Sequence, residues 1–399
     1  MLQHLVSIKL KSASTALAGS IGALCLLSAI LMVGYGAIFS LLAEIRDAFG
    51  FSTAAIGLIG GSAFAAGFVA QLALGRYADE GHGARMLQIG LALSALGTFW
   101  MIFADTLPQW LAARALLGFG AGCVRPAVRR VVLTADPANA GRAIGRLSAY
   151  ETAGFLLGPV LASMLNAWAG LASIFVVLTA LLALLIPVVV RADIPGATNP
   201  STGPVLRNLI TRPAMQSCIA IGVAFWITVG VFEAIWAVFL TDLGASQIFI
   251  GLTMSLFGIP MIFISPRAGS LAQHRGPLRI ASVSISVAIA CMVLYGLFDS
   301  LWLLCAPLAI HAIADAYTMP ASQLAVAQAS GEGSLSAAQG LFGATGMAVA
   351  TVTAVAGGAL YQTLGPSGLW WISAGAMVIC MIFSWWRGAQ LRRPMQVRV

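Results

Sequence analysis

The chain has 399 residues, of which 60% are hydrophobic and 9% are charged, and its mean hydropathy is +0.94. An ordinary soluble domain carries about 25% charged residues, so a soluble fold could not bury this much apolar surface. The formal net charge of +8 does not indicate a nucleic-acid-binding protein, because in a membrane protein the placement of the charges matters more than their sum.

Apolar runs follow one another along the whole chain. A helix needs about 20 mainly apolar residues to cross a bilayer. The runs are continuous, as in Leu171 to Val190, and do not alternate as barrel strands do, which excludes a β-barrel. We therefore predict an all-α polytopic membrane protein with about 12 transmembrane helices. The runs cover residues 16–42, 52–74, 86–104, 107–128, 144–168, 170–190, 214–240, 247–265, 278–297, 301–324, 337–361 and 367–386.

One polar stretch, residues 191–213, divides these runs into two sets of six. We predict an N-terminal six-helix bundle over residues 1–190, a cytoplasmic linker over 191–213, and a C-terminal six-helix bundle with a cytoplasmic tail over 214–399. The first run is too long for a signal-peptide core and lacks a clear cleavage site, so we expect it to be the first span.

Arginine is concentrated in alternate gaps between the runs. The positive-inside rule then places both termini in the cytoplasm and predicts a multi-pass protein of the cell (inner) membrane. The arginines on the predicted cytoplasmic side are Arg76, Arg85, Arg125, Arg129, Arg130, Arg142, Arg146, Arg191, Arg207, Arg212, Arg267, Arg275 and Arg279.

Two predicted cytoplasmic loops repeat one pattern at half-chain spacing. The loop after the second span reads GRYADEGHGAR, and the corresponding loop of the second half reads GSLAQHRGPLR. Such internal repeats are typical of transporters built from duplicated bundles. The first loop resembles the GxLaDRxGRR signature of the major facilitator superfamily. Gly75 and Asp79 match, Glu80 replaces the arginine, and the second glycine, Gly83, comes one residue late.

This resemblance implies a major-facilitator-type fold, with two six-helix bundles around a central cavity. It also implies that the signature loop, from Gly75 to Arg85, clamps the cytoplasmic ends of the two halves when the protein faces outward. In the second copy Gly269 and Gly276 are kept, but Gln273 replaces the aspartate.

The fourth run carries an arginine, Arg114, in LAARALLGFGAG, which resembles the family's RxxxGxGxA element. An arginine inside a span needs a partner. Glu151 in the fifth run is the candidate, since both residues are expected within about two helical turns of the same depth. The pair could be a static ion pair, or Glu151 could carry a proton while Arg114 tunes its proton affinity.

Gly154, Gly158 and Pro159 in the fifth run match the first part of the family's antiporter motif, GxxxGPxxGG. In the family this motif is associated with exchangers, especially drug:proton antiporters. The alternative is generic tight packing, because small residues four positions apart let helices approach closely.

Two further groups of polar or aromatic residues lie in the second half. Trp226, Glu233 and Trp236 could form one face that holds an amphipathic cation, or an ordinary packed face. His311 and Asp315, one turn apart, could form a proton relay or a structural hydrogen bond.

No P-loop, nucleophile elbow or HExxH motif is present, so we expect no enzyme activity and no cofactor. The six cysteines lie inside apolar runs without metal-ligand spacing, so we expect no metal site. We predict proton-coupled efflux of small amphipathic or drug-like molecules by a monomer in the lipid bilayer, without a nucleic-acid partner. A proton-coupled importer of a sugar or organic acid, sodium coupling, and a non-transporting receptor or accessory subunit remain alternatives.

Overall fold

A computed structural model describes residues 2–51, 53–192 and 194–394, all of which are helical or loop. The helices are α1 (Leu2–Phe49), α2 (Thr53–Tyr77), α3 (Gly83–Met101), α4 (Leu107–Thr134), α5 (Ala140–Ala169), α6 (Ser173–Leu184), α7 (Ile186–Val190), α8 (Val205–Thr211), α9 (Pro213–Asp242), α10 (Gln247–Arg275), α11 (Pro277–Tyr295), α12 (Leu301–Ser330) and α13 (Leu335–Arg387). A π-helical turn, Ala78–His82, joins α2 to α3.

Nine segments of the described chain are long and apolar enough to cross a membrane. Two of them are long enough for two crossings each, because the backbone breaks at Gly81 (φ 89°), between α2 and α3, and at Gly365 (φ 73°), inside α13. The 29-residue helix α10 is a further helix of membrane-crossing length. The described residues therefore contain twelve helices of that length, and the predicted all-α polytopic fold is confirmed.

Glycine and proline define many helix ends. Gly170, Gly276 and Gly331 follow α5, α10 and α12 with positive φ values, which glycine adopts without a Cβ clash. Prolines stand in the first turns of α4, α9 and α11, where the missing N–H has no helical partner to lose.

The helices pack as two groups, α1 to α7 and α9 to α13. In the first group α1 packs along α5, and α4 packs along α2 and α3; in the second, α13 packs along α9, and α12 along α10 and α11. The main contacts between the groups are α5 with α10 and α2 with α13. Large apolar side chains cover the outside, including Trp168 and Trp302 at 85% and 79% exposure, which suits a lipid-facing surface.

Candidate functional site

Asp79, in the π-helical turn after α2, binds the N-terminus of α13 in the other group of helices. Its Oδ1 accepts a hydrogen bond from the Ser336 amide and its Oδ2 accepts one from the Ala337 amide, each at 3.0 Å. The first amides of a helix lack helical partners and carry partial positive charge, so a buried carboxylate is stabilised there. Asp79 therefore joins the two groups at one end of the bundle. We call this end, which carries Arg76, Arg85 and Arg130, the arginine-rich end.

Arg130 of α4 supplies the cation of this clamp. Its Nη1 donates to Asp79 Oδ1 at 2.7 Å and to the Glu332 carbonyl at 3.3 Å, and both charged side chains of the ion pair are almost fully buried. Glu80 stands where the family signature has arginine, and it is exposed beside Arg76 at 3.7 Å. Arg85 is also exposed. The clamp thus takes its positive charge from α4 and not from the signature loop.

The glycines of the signature loop permit close approach of the chain. A Cβ at Gly75 would lie 3.2 Å from the Ser336 carbonyl oxygen, and Gly83 packs against Ile194. Gly81 adopts φ 89° within the five-residue π-helical turn. This π-helical turn is wider than an α-helical turn, so it accommodates the one extra residue that precedes Gly83, the second glycine of the signature.

The second copy of the loop forms a corresponding clamp at the end of α10. Gln273 Oε1 accepts a hydrogen bond from the Gly141 amide at 2.6 Å, in the first turn of α5. Its Nε2 donates to the carbonyls of Pro137 and Ala138. A carboxamide can both accept and donate, and both capacities are used here. Gly269 packs against the backbone of Gly141, so α5 and α10 are in contact there without intervening side chains.

Gly276 lies apart from this contact. It has φ 96°, ends α10, and packs against the Arg392 carbonyl of the C-terminal segment. Its conformation, rather than a contact with the first half, therefore explains the need for glycine at this position.

The segment between the two groups lies across the arginine-rich end. Ala197 donates its amide to the Asp79 carbonyl at 2.8 Å, and Ser201 donates its amide to the Gly333 carbonyl at 2.9 Å. Thr198 Oγ1 donates to Glu332 Oε1 at 3.2 Å. This segment therefore contacts both the signature loop and the turn that precedes α13.

Gly154, Gly158 and Pro159 lie where α5 packs on α1. A Cβ at Gly154 would meet the Ala29 carbonyl, and one at Gly158 would lie 2.6 Å from the Ala37 nitrogen. The motif therefore brings two helices of the first group together and does not lie between the groups.

Arg114 is not paired with Glu151, so the predicted partnership is wrong. Glu151 lies 3.8 Å from Arg129, whereas Arg114 donates only a long hydrogen bond, 3.5 Å, to the Gly34 carbonyl. The predicted fourth span ends near residue 128, but α4 continues to Thr134. Arg129 therefore lies inside α4, and Arg114, fifteen residues earlier, is about four helical turns away from it along the helix.

Three residues of this region were not predicted as parts of the site. Arg125 and Arg129 lie inside α4, half-buried and buried, although both are expected on the cytoplasmic side of the fourth span. Tyr35 of α1 is buried and lies within cation–π distance of Arg114 and Arg125. The spacing of Arg114, Gly118, Gly122, Arg125 and Arg129 could have revealed a shared helix face.

The predicted face of Trp226, Glu233 and Trp236 is not formed. Trp236 is buried, stacks on Phe232 with ring centroids 4.7 Å apart, and donates from Nε1 to Thr253 Oγ1 at 3.1 Å. Glu233 is exposed and Trp226 is half-buried. Seven residues return a helix to about the same face, but a three-residue step is displaced by about 60°. This displacement turns Trp236 into the core, whereas Trp226 stays half-buried and Glu233 stays exposed.

His311 and Asp315 lie together in α12. His311 Nε2 is 3.7 Å from Asp315 Oδ2, and both side chains are at most 1% exposed. The other ring nitrogen, Nδ1, lies 3.2 Å from the Tyr295 hydroxyl. Phe232 and Phe257 meet the imidazole edge-on. Within the described part of the chain, neither carboxylate oxygen of Asp315 has a hydrogen-bond partner.

Residues 24–237 and 218–397 match the model of the Major Facilitator Superfamily. A "Multi-drug resistance efflux pump PmrA homolog" from Lactococcus lactis subsp. lactis is 34% identical over 31% of this chain and 30% of its own length. "Multidrug resistance protein MdtG" is 25% identical in Proteus mirabilis and 27% identical in Serratia proteamaculans, over 55% and 58% of this chain.

The chain spans 58% and 60% of those two MdtG proteins, which is less than two thirds of their length. The fold is similar to the "Crystal structure of the human organic anion transporter MFSD10 (TETRAN)". The TM-score is 0.71 over 92% of this chain and 97% of that one, at 16% identity. Since the two matches to the family model together cover most of the sequence, the chain belongs to the major facilitator superfamily of membrane transporters and resembles its drug:proton antiporters.

Proposed function

We propose that the protein exports small amphipathic or drug-like molecules in exchange for protons, by alternating access. The observation that carries this proposal is the burial of Asp315 beside His311 without a hydrogen-bond donor to its carboxylate among the described residues. A charge held in such a place is costly, so a carboxylate there is suited to bind a proton. Its neighbour, an imidazole, can pass a proton on.

The contacts at the arginine-rich end support the gating part of the proposal. Asp79 and Gln273 each tie one half of the chain to a helix N-terminus in the other half. We assign this end to the cytoplasm, with both chain termini on that side of the inner membrane. In this proposal the protein is a monomer that is closed at its cytoplasmic end, as in an outward-facing state, and residues 1–190 and 214–399 rock about the linker 191–213.

Glu151 is the second proposed proton carrier. Its cationic neighbour is Arg129, at 3.8 Å, and the two atoms are too far apart for a good hydrogen bond. Protonation of Glu151 would leave the Arg129 charge without this partner and would change the potential between the halves.

Glu233 and Trp226 are proposed to contact the substrate from the second half. The Glu233 side chain is exposed, Trp226 is half-buried, and the buried Trp226 Nε1 has no hydrogen-bond partner among the described residues. Trp236 would act only by holding α9 against α10 through its hydrogen bond to Thr253.

Growth of an overexpressing strain on a panel of toxic compounds, with and without an uncoupler, tests the proposal. We expect resistance to at least one amphipathic compound, loss of that resistance with the uncoupler, and loss in Asp315→Asn. Resistance that survives both the uncoupler and the paired substitutions Glu151→Gln and Asp315→Asn would contradict proton coupling.

Proton-coupled uptake of a small organic acid is the second candidate. An importer of anions is expected to hold more than one arginine inside the membrane, and Arg125 and Arg129 of α4 are two such residues in addition to Arg114. Accumulation of a radiolabelled organic acid in the overexpressing strain, abolished by the uncoupler, would favour uptake over export.

A further inference from the structure

The Tyr35 ring lies near two guanidinium groups of α4. The Arg114 and Arg125 guanidinium carbons are 5.3 Å and 5.4 Å from the ring centroid. The Tyr35 hydroxyl is oriented towards the Ala63 carbonyl at 3.4 Å, so the ring is held in place between α1 and α2. Two positive charges are thus fixed near one aromatic ring inside the first half of the protein.

Neither guanidinium has an anionic acceptor, and Arg114 donates only the 3.5 Å hydrogen bond from Nη1 to the Gly34 carbonyl. Arg125 Nη2 donates at 2.8 Å to the sulfur of Met32, a weak acceptor. Arg114 is fully buried, and its Nε and Nη2 have no partner within the described ranges. An arginine carries five N–H donors, and a buried charge without hydrogen bonds is strongly unfavourable. Both side chains therefore lack an anionic partner.

The nearest carboxylate does not fill this role. Glu151 lies 3.8 Å from Arg129, and the Arg129 Nε has no hydrogen-bond partner in the described chain. One carboxylate therefore stands among three arginines, Arg114, Arg125 and Arg129. The face of α4 that carries them has an excess of positive charge.

This face of α4 is directed at the other half of the protein. A Cβ at Gly343 of α13 would lie 3.4 Å from Arg129 Nη1, which places Arg129 at the contact between the halves. Arg125 lies one turn away on the same face, and it is half-buried, as are Met32 and Glu151. Part of the Arg125 side chain is therefore accessible on the face of α4 that is directed at the second half.

We propose that the substrate is an amphipathic organic anion whose carboxylate binds Arg125. Arg114, which lies near the same Tyr35 ring, and Arg129, one turn along α4, stabilise the negative charge of the bound carboxylate. The apolar part of the molecule extends towards the second half of the protein. This inference rests on the proposed transport function and names the substrate class of that same site.

The test is equilibrium binding to the full chain in nanodiscs of phosphatidylcholine at a single pH and without an ion gradient. Dansylglycine provides the carboxylate, and dansylamide provides the same ring system without a charge. We expect the wild type to bind dansylglycine about 10-fold to 100-fold more tightly, since a hydrogen bond to a charged group contributes about 1.5–3 kcal/mol. Arg125→Gln should remove this preference, and Arg125→Lys should keep part of it.

Arg207→Gln, on the exposed face of α8, is the matched control and should keep the full preference. Equal binding of the two probes by the wild type, failure of dansylglycine to bind, or an unchanged preference in a folded Arg125→Gln variant would each overturn the proposal. Because no gradient is applied, a failure of proton coupling would leave this result unchanged, so the two proposals can fail separately.

Discussion

Asp79 and Gln273 occupy corresponding positions in the two halves of the chain, and each binds the first turn of a helix in the opposite half. Asp79 accepts from the amides of Ser336 and Ala337 at the start of α13, and Gln273 accepts from the Gly141 amide at the start of α5. The two side chains thus hold the arginine-rich end shut, one with a buried charge and one with a neutral amide.

Asp79→Asn should open the arginine-rich end. The change removes the negative charge that pairs with Arg130 and weakens two hydrogen bonds to α13, each worth about 1.5–3 kcal/mol when one partner is charged. The readout is the rate at which a cysteine from Ser336→Cys, a buried position, reacts with a maleimide in a background without the six native cysteines. We expect this rate to rise at least about tenfold.

Glu80→Gln is the control for that experiment, because Glu80 is adjacent in sequence but exposed and outside the clamp. An unchanged labelling rate in Asp79→Asn, or an equal rise in Glu80→Gln, would show that the Asp79 carboxylate does not hold the two halves together.

Gln273→Glu should weaken the second clamp although the side chain keeps its size. The carboxylate could still accept a hydrogen bond from the Gly141 amide. It could not donate to the carbonyl oxygens of Pro137 and Ala138, and one of its own oxygens would lie against them. We expect faster labelling of Ser336→Cys in this variant as well. If Gln273→Glu instead slows the labelling, the two carbonyl contacts do not contribute to closure.

Gly145→Ala should prevent closure of the same end. A Cβ at Gly145 would meet the Ser265 carbonyl of α10, so α5 and α10 could not keep their present contact. We expect loss of transport with a folded protein and rapid labelling of Ser336→Cys. Gly375→Ala is the control, because a Cβ there has no neighbour within 4 Å in the described structure. Normal transport by Gly145→Ala would exclude this contact from the transport cycle.

Asp315→Asn separates a proton-binding role from a structural one. The buried carboxylate has no hydrogen-bond donor in the described residues, so a neutral amide should leave the melting temperature unchanged or raise it. Active export should be lost, and the downhill transport that remains should depend less on pH, because this site can no longer gain or lose a proton. A fall in Tm of several degrees with normal pH dependence would instead indicate a structural His311–Asp315 contact.

The sequence predicts the helical architecture well, because span length and apolar composition are local properties. The clamp loops could also be found, since their pattern recurs in both halves. The partners inside the membrane could not be predicted in the same way. The end of α4 is six residues beyond the apolar run, so Arg129 lies inside the helix, and its contact with Glu151 depends on how α4 packs against α5.

The role of Trp236 depends on a similar detail. Its position three residues after Glu233 turns it towards Phe232 and Thr253, and only the packing of α9 against its neighbours shows this. Arg130 was also missed, because a loop arginine and a clamp arginine look alike in the sequence. Its role depends on a contact with Asp79, 51 positions earlier.

The most direct test of proton-coupled transport is proton movement in proteoliposomes that contain the full chain and a pH-sensitive dye. A compound exported by the overexpressing strain is added without an imposed gradient. The proposal predicts that the compound drives proton movement in the direction opposite to its own. It also predicts that Glu151→Gln and Asp315→Asn together abolish this movement. Transport of the compound by the wild type without any proton movement would contradict it.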